Sequence, residues 1–195
     1  ILRLRAYFAP ENVAASHLTD DMEEVYARKG IVTVNYTPMP SRGVSKEVRK
    51  EYKHRKYEEL NDGHVIVHRF SMIKEGTNPV QRALKYLLCN IAEYVKGVNV
   101  KDIDLVHCSS TPPTQGMLCG MVAKKLSKKY GYKVPFVYNL QDIFPDSLVN
   151  AGMTSQGSKI WKLGRKIEDY TYKNADKIIV ISEGFKKNIM AKGVP

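Results

Sequence analysis

Gln141, Asp142 and Asp146 stand where an apolar run, Val134 to Tyr138, stops on Ile143-Phe144-Pro145-Asp146-Ser147. Read as a central parallel strand, that run places an amide and two carboxylates just past its carboxyl end, where open α/β sheets bind their ligands. Asp142, directly after the strand, is the candidate catalytic carboxylate, as a general base or a ligand clamp; Asp146-Ser147 reads as a turn. A second polar group is Cys108-Ser109-Ser110-Thr111-Pro112-Pro113-Thr114, whose prolines stiffen a hydroxyl-rich loop. A serine nucleophile would need a GxSxG elbow, which is missing, so Ser109, Ser110 and Thr111 suit hydrogen bonding to a ligand, with helix capping by Thr111 an equal alternative.

The third group is Ala9-Pro10-Glu11-Asn12-Val13-Ala14-Ala15-Ser16-His17, which leads into a helix whose amino end could receive a phosphate or carboxylate. It contains no glycine. The GxGxxG fingerprint of dinucleotide sites and the GK[ST] of P-loops are both missing, which argues against those nucleotide-binding modes. Glu11, Asn12 and His17 remain candidates for ligand contact, though a solvated side chain is the favoured reading of His17. Ser182 and Glu183 follow another apolar run, Lys177 to Ile181, and either cap a helix or touch a ligand. His64 and His68 lie four apart on a strand, roughly 13 Å at 3.3 Å per residue, too far to share a metal. No metal or other cofactor is expected.

The elements that must position these groups alternate along the chain. Leu2–Phe8, Ile31–Tyr36, Val65–Phe70, Ile103–Cys108, Val134–Leu140 and Lys177–Ile181 are strand candidates. Ala15, Leu18, Met22, Val25 and Tyr26 share one helical face, with Asn12 as its cap and Gly30 as a left-handed end. Asn78-Pro79 caps and starts a helix carrying Leu84, Leu87, Leu88, Ile91 and Val95 at helical spacing. Further helices are predicted over Gly116 to Lys129, Ser158 to Lys173 and Glu183 to Ala191. This alternation implies an α/β fold, a Rossmann-like parallel sheet of about six or seven strands with helices on both faces. The exception is Thr37 to Gly63, a basic insertion expected to be mobile.

With 195 residues, 43% of them hydrophobic, the chain is long enough for one sizeable domain spanning 1–195. It lacks the ~18-residue apolar run of a membrane span. It opens without Met inside a strand and ends straight after a helical segment, as an excised piece would. Cys89, Cys108 and Cys119 are odd in number and form no close pair, which favours a reducing cytoplasm over a disulfide framework. The formal charge of +11 attracts anionic partners. Nucleic acid ranks last among them, because only Tyr52 and Tyr57 interleave aromatic rings with the basic residues of the insertion. An anionic membrane is a better fit: Val44, Val48 and Tyr52, flanked by Arg49, Lys50, Lys53, Arg55 and Lys56, form a short basic amphipathic segment, equally readable as a solvated loop.

Five stretches in register resemble the N-terminal half of the bacterial family-4 type glycosyltransferases of GT-B fold, the capsular and exopolysaccharide builders in particular. They are Tyr7-Phe8-Ala9-Pro10-Glu11; Asp62-Gly63-His64-Val65 with His68-Arg69; and Asp104-Leu105-Val106-His107 with Ser109-Ser110-Thr111-Pro112-Pro113. Gln141-Asp142-Ile143-Phe144-Pro145-Asp146-Ser147 and Ala175-Asp176-Lys177-Ile178-Ile179-Val180-Ile181-Ser182-Glu183-Gly184-Phe185 complete the set. The family's usual Gly-Gly pair in the first loop is replaced here by Val13-Ala14-Ala15, and the histidine many relatives carry before the aspartate is Gln141.

The resemblance implies the acceptor-recognising half of a retaining, metal-independent, hexosyltransferase-like enzyme of cell-surface glycan biosynthesis. Its nucleotide-sugar donor would be held mainly by a C-terminal domain absent from this chain, leaving the chain alone inactive. Its acceptor would be a lipid-linked or polysaccharide glycan at the cytoplasmic membrane face, with the protein cytoplasmic or peripheral there. Asp142 carries over as catalytic and Gln141 as substrate-binding. The competing expectation is a non-catalytic module that docks on an anionic membrane or on a separate donor-binding chain.

Overall fold

Short apolar runs alternating with helical patterns become a mostly parallel α/β fold of the Rossmann-like kind, in which one strand of the seven among the described residues runs antiparallel. A computed structural model describes residues 1–13, 16–73 and 78–195, in two compact units, Ile1–Ile103 and Asp104–Pro195.

In the first unit, strands β1 (Leu2–Leu4), β2 (Thr33–Pro38), β3 (Tyr57–Leu60) and β4 (Val65–Phe70) lie in the order β3-β4-β2-β1. Helices α1 (Ser16–Arg28) and α2 (Lys46–Tyr52) lie between them along the chain, and α3 (Pro79–Gly97) follows β4. Because strand side chains alternate between faces, the register Arg3↔Asn35 puts both residues on the face that meets Glu23 of α1. His68 and Phe70 stand on the other face, where Lys96 of α3 lies 5.7 Å from the Phe70 ring centre. Phe8 packs on Val65 and Val67 as an apolar core. Around it the α1 face is unusually polar, with Arg3, Thr33, Asn35, Thr37 and Arg69 all buried.

The basic insertion is not a loop. Ser45 caps α2, its hydroxyl accepting the Val48 amide at 3.3 Å, and Tyr57–Leu60 adds the antiparallel strand β3 to β4, with Tyr57 opposite His68. Arg69 bonds Glu58 across that pair at 2.8 Å, and the His68 ring stacks on Tyr36 at 4.8 Å. Asn61, Asp62 and Gly63 make the turn in left-handed conformation at φ 52°, 54° and 83°, residue types that tolerate it.

Helix α1 is described from Ser16, and Asn12, expected to cap it, is exposed; residues 14 and 15 between them lie outside the described residues. Ala15, expected on its apolar face, lies outside the described residues. Asn78 caps α3 as its spacing implies, accepting the Val80 amide at 2.8 Å. The helix then turns its polar side inward: Lys85, Asn90 and Glu93 are buried, whereas Leu84, Leu87, Leu88, Ile91 and Val95 face out.

In the second unit, β5 (Val106–Ser109), β6 (Phe136–Leu140) and β7 (Lys177–Val180) form a parallel set in that order, with α4 (Gln115–Tyr130), α5 (Asp146–Asn150), α6 (Lys159–Asn174) and α7 (Glu183–Ala191) around it. Leu118, Cys119, Val122 and Leu126 of α4 and Phe136, Tyr138 and Leu140 of β6 are buried. Each large apolar side chain so covered contributes about 1.5–3 kcal/mol. The three cysteines are free thiols, all buried. Among the described residues no helix is long and apolar enough to cross a membrane.

Candidate functional site

Parallel pairing brings the second unit's polar loops to one edge. Ser109 is opposite Asn139 and Leu140 opposite Val180, so Ser110-Thr111, Gln141-Asp142 and Ser182-Glu183 all leave at the carboxyl ends of β5, β6 and β7. Buried Ser110 ties two of these loops together. Its amide bonds the Asn139 carbonyl at 3.0 Å, and its hydroxyl oxygen accepts the amides of Gln141 and Asp142, each at 3.0 Å. Ser110, expected to touch a ligand, uses its oxygen to fix the backbone that presents Asp142.

Asp142 is half-buried and lines a narrow cleft with Pro113, Tyr138, Phe144, Glu168 and Tyr172. The tyrosines stay protonated. Burial, then the neighbouring Cys108, Glu168 and Asp142 side chains, raises Tyr138 well above its ordinary value, and burial with the Glu168 hydrogen bond raises Tyr172. Glu168 is buried; it accepts the Tyr172 hydroxyl at 2.6 Å and the Lys192 ammonium at 3.0 Å and pairs with Arg165. Lys192 also reaches Asp146 at 2.7 Å. Asp146 begins α5 and is engaged in tying it to the end of α7, so Asp142 is the more available of the two carboxylates. Gln141 precedes Asp142 in the chain, Gln141 and Ser109 are half-buried, and Thr111 is exposed. Thr111 is not the cap of α4: Thr114 occupies that position and makes no side-chain cap bond. Ser182 caps α7, accepting the Phe185 amide at 3.2 Å, while Glu183 is exposed in its first turn.

The first unit gathers a second polar group beyond β1 and β2. Glu11, expected to contact a ligand, is buried, and one of its oxygens accepts the amides of Ser41 and Arg42 at 2.8 Å each. Lys85 bonds the Ser41 hydroxyl at 3.1 Å and lies 4.9 Å from the centre of the Tyr7 ring. Arg42 reaches the Tyr7 hydroxyl at 3.3 Å, and Tyr7 and Tyr86 share a hydrogen bond of 2.9 Å. Asn12 and His17 are exposed. The Ser41-Arg42 turn is thus clamped between an anion and a cation.

Burial raises the Glu11 carboxyl above its ordinary range, against the opposing pull of the Arg42 and Ser41 amides and the Lys85 charge. The folded chain therefore holds this proton at a pH where the unfolded chain has released it, and stability contributed here is lost as pH rises through the folded value. The melting temperature of the native chain minus that of Glu11→Gln is expected to grow as pH is lowered from neutral toward the ordinary glutamate range. A constant difference would place the Glu11 titration in its ordinary range.

Residues 21–195 match the model of Glycosyltransferase Family 4. The chain belongs to glycosyltransferase family 4. The family match covers the loops after β5, β6 and β7, and with them Ser110, Asp142 and Glu168; Glu11, Asn12 and His17 precede it. No curated protein matches this glycosyltransferase domain significantly.

Reading the sequence alone missed Glu168, Tyr172 and Lys192 beside the Asp142 cleft, and Arg42 and Lys85 around Tyr7. Glu168 and Tyr172 are i,i+4 neighbours on α6, but an acid and a tyrosine at that spacing suit a solvated helix face equally well. Lys85 sits amid leucines, and that charge inside an apolar repeat was the one available signal.

Proposed function

We propose that this domain is the acceptor-recognising half of a retaining glycosyltransferase that moves a sugar from a nucleotide-sugar to a lipid-linked or polysaccharide acceptor. The donor would be held by a second domain, in the same polypeptide or a partner. The observation that carries the reading is Asp142, presented at the carboxyl end of β6 by two backbone amides fixed on Ser110, in a family-4 fold.

In this proposal the Asp142 carboxylate accepts a hydrogen bond from the attacking acceptor hydroxyl and eases loss of its proton. The hydroxyl oxygen bonds the anomeric carbon as that carbon's bond to the nucleotide diphosphate breaks. Gln141, Ser109 and Thr111 supply further polar contacts to the acceptor, with Ser182 and Glu183 on the neighbouring loop. In the first unit Arg42 beyond β2 and exposed Asn12 and His17 beyond β1 would supply further contacts to the ligand. Cell-surface glycan assembly, capsule or exopolysaccharide included, is the pathway class this implies, with the enzyme at the inner membrane face.

Positioned general bases are worth about 100- to 10,000-fold in rate. Asp142→Asn in the protein together with its donor-binding half is therefore expected to lower kcat by that range with the circular dichroism unchanged. Unimpaired turnover by that variant would remove Asp142 from the reaction.

A further inference from the structure

Helix α3 is built inside out. Lys85, Asn90 and Glu93 are buried, Arg82 and Lys96 are half-buried, and Glu93 is its single acid. Its outward side carries Val80, Leu84, Leu87, Leu88, Ile91 and Val95, exposed between 37% and 74%. Among the described exposed side chains of α3, Gln81 alone is polar. At about 100° per residue these six occupy one continuous stripe, and at 1.5 Å per residue it runs about 22 Å along the helix. Water-exposed apolar patches of this kind mark interaction sites.

We propose that this face of α3 docks in the plane of an anionic membrane surface, with the apolar stripe seated among the acyl chains just below the headgroups. The stripe carries no charge to desolvate. The chain's formal charge of +11 draws it to anionic lipid. The same charge opposes a second copy, since two equally cationic chains repel. The stripe is also broader than the narrow seam of a two-helix coiled coil, so a partner helix would leave Leu88 and Val95 wet, whereas a lipid surface covers the full width. The anchor is therefore α3 rather than the basic segment around α2, where Val48 and Tyr52 are half-buried against the protein. This deepens the proposed function by naming the surface that meets the acceptor's membrane.

The test uses the full chain and vesicles of phosphatidylglycerol and phosphatidylcholine in equal parts, without donor or acceptor, so failure here leaves the sugar-transfer reading standing. The native chain is expected to sediment with these vesicles, and Leu87→Glu with Ile91→Glu to weaken that binding about ten- to a hundred-fold. Both positions are more than half exposed, so the fold should survive, and circular dichroism checks it. Because the native cysteines are buried, Leu87→Cys takes an environment-sensitive dye selectively, and its emission should shift to the blue on vesicle addition. Equal sedimentation of the native and double-glutamate chains would overturn the proposal. So would a dye whose emission ignores vesicles, or a native chain that runs as a dimer which the glutamates dissociate and that ignores lipid.

Discussion

Glu23→Ala is expected to cost about 3–5 kcal/mol of stability, enough to bring a domain of ordinary stability close to unfolding. Glu23 on α1 is the anion against which β1 stores two guanidinium groups. Arg3 bonds it at 2.7 Å and Arg5 at 3.3 Å, and the Thr33 hydroxyl donates to its other oxygen at 2.5 Å. The Arg3 and Glu23 side chains are only 2% and 5% exposed. Burial, and then the neighbouring charge of Arg3, already push Arg5 down to about 9, with Glu23 and Asp20 opposing. Removing the carboxylate strands Arg3 and Arg5 in a low-dielectric layer with Asp20 as the acid left beside Arg5. A surface pair gives the scale: Arg28 and Glu24 sit 3.9 Å apart, both about two-thirds exposed, and Glu24→Ala should cost about 0.5 kcal/mol or less. Urea denaturation of the two variants compares them directly. Similar midpoints would show that the buried cluster carries no special weight.

Gly116→Ala is expected to destabilise by about 1–3 kcal/mol, against the ordinary trend for helices, where replacing glycine by alanine gains about 1 kcal/mol. A Cβ at 116 would come within 2.3 Å of Thr171 Cγ2 and 2.7 Å of the Tyr138 ring. No real contact is that close, so α4 would have to move off α6 and β6. Thr171 and Tyr138 are both buried, and Tyr138 lines the Asp142 cleft. The displacement should reach the site as well as the stability. Thr171→Ser removes the methyl that clashes worst, so the double variant should recover part of the loss. Thermal melts of the single and double variants decide it, and a Gly116→Ala chain melting above the native one would contradict the packing described.

The alternation that makes the α/β fold was legible because it is local. Val65–Phe70 and Glu183–Ala191 have the bounds their patterns imply, and α4 and α6 differ from expectation by one residue at each end. What escaped depended on contacts between distant residues. Tyr57-Glu58-Glu59-Leu60 has two acids in four residues and little apolar character, so it reads as loop; it becomes a strand by pairing with β4 and by the Arg69–Glu58 bond. The Asn61-Asp62-Gly63 turn was the cue for a hairpin and went unused. The regular leucine repeat of α3 showed a helix, but no periodicity says which side faces inward when the protein buries the charges. At the site, Asp142 stood out because its position past a strand is a local fact. Its support by Ser110, across 32 residues, is a tertiary one. Glu11 shows the converse, since its place in the loop after the first strand was visible while its engagement by the Ser41 and Arg42 amides was not.

Transfer of label is the most direct test of the central claim that this family-4 domain serves sugar transfer through the Asp142 edge. Nucleotide-sugars labelled in the sugar would be offered to the protein with its donor-binding half and an extract of native membrane lipids. The account predicts label in a glycolipid or glycan product, with the donor's anomeric configuration kept in the new linkage, and loss of that product in Asp142→Asn. A folded protein that transfers no label from any nucleotide-sugar, or an Asp142→Asn variant that transfers it at the native rate, would contradict it.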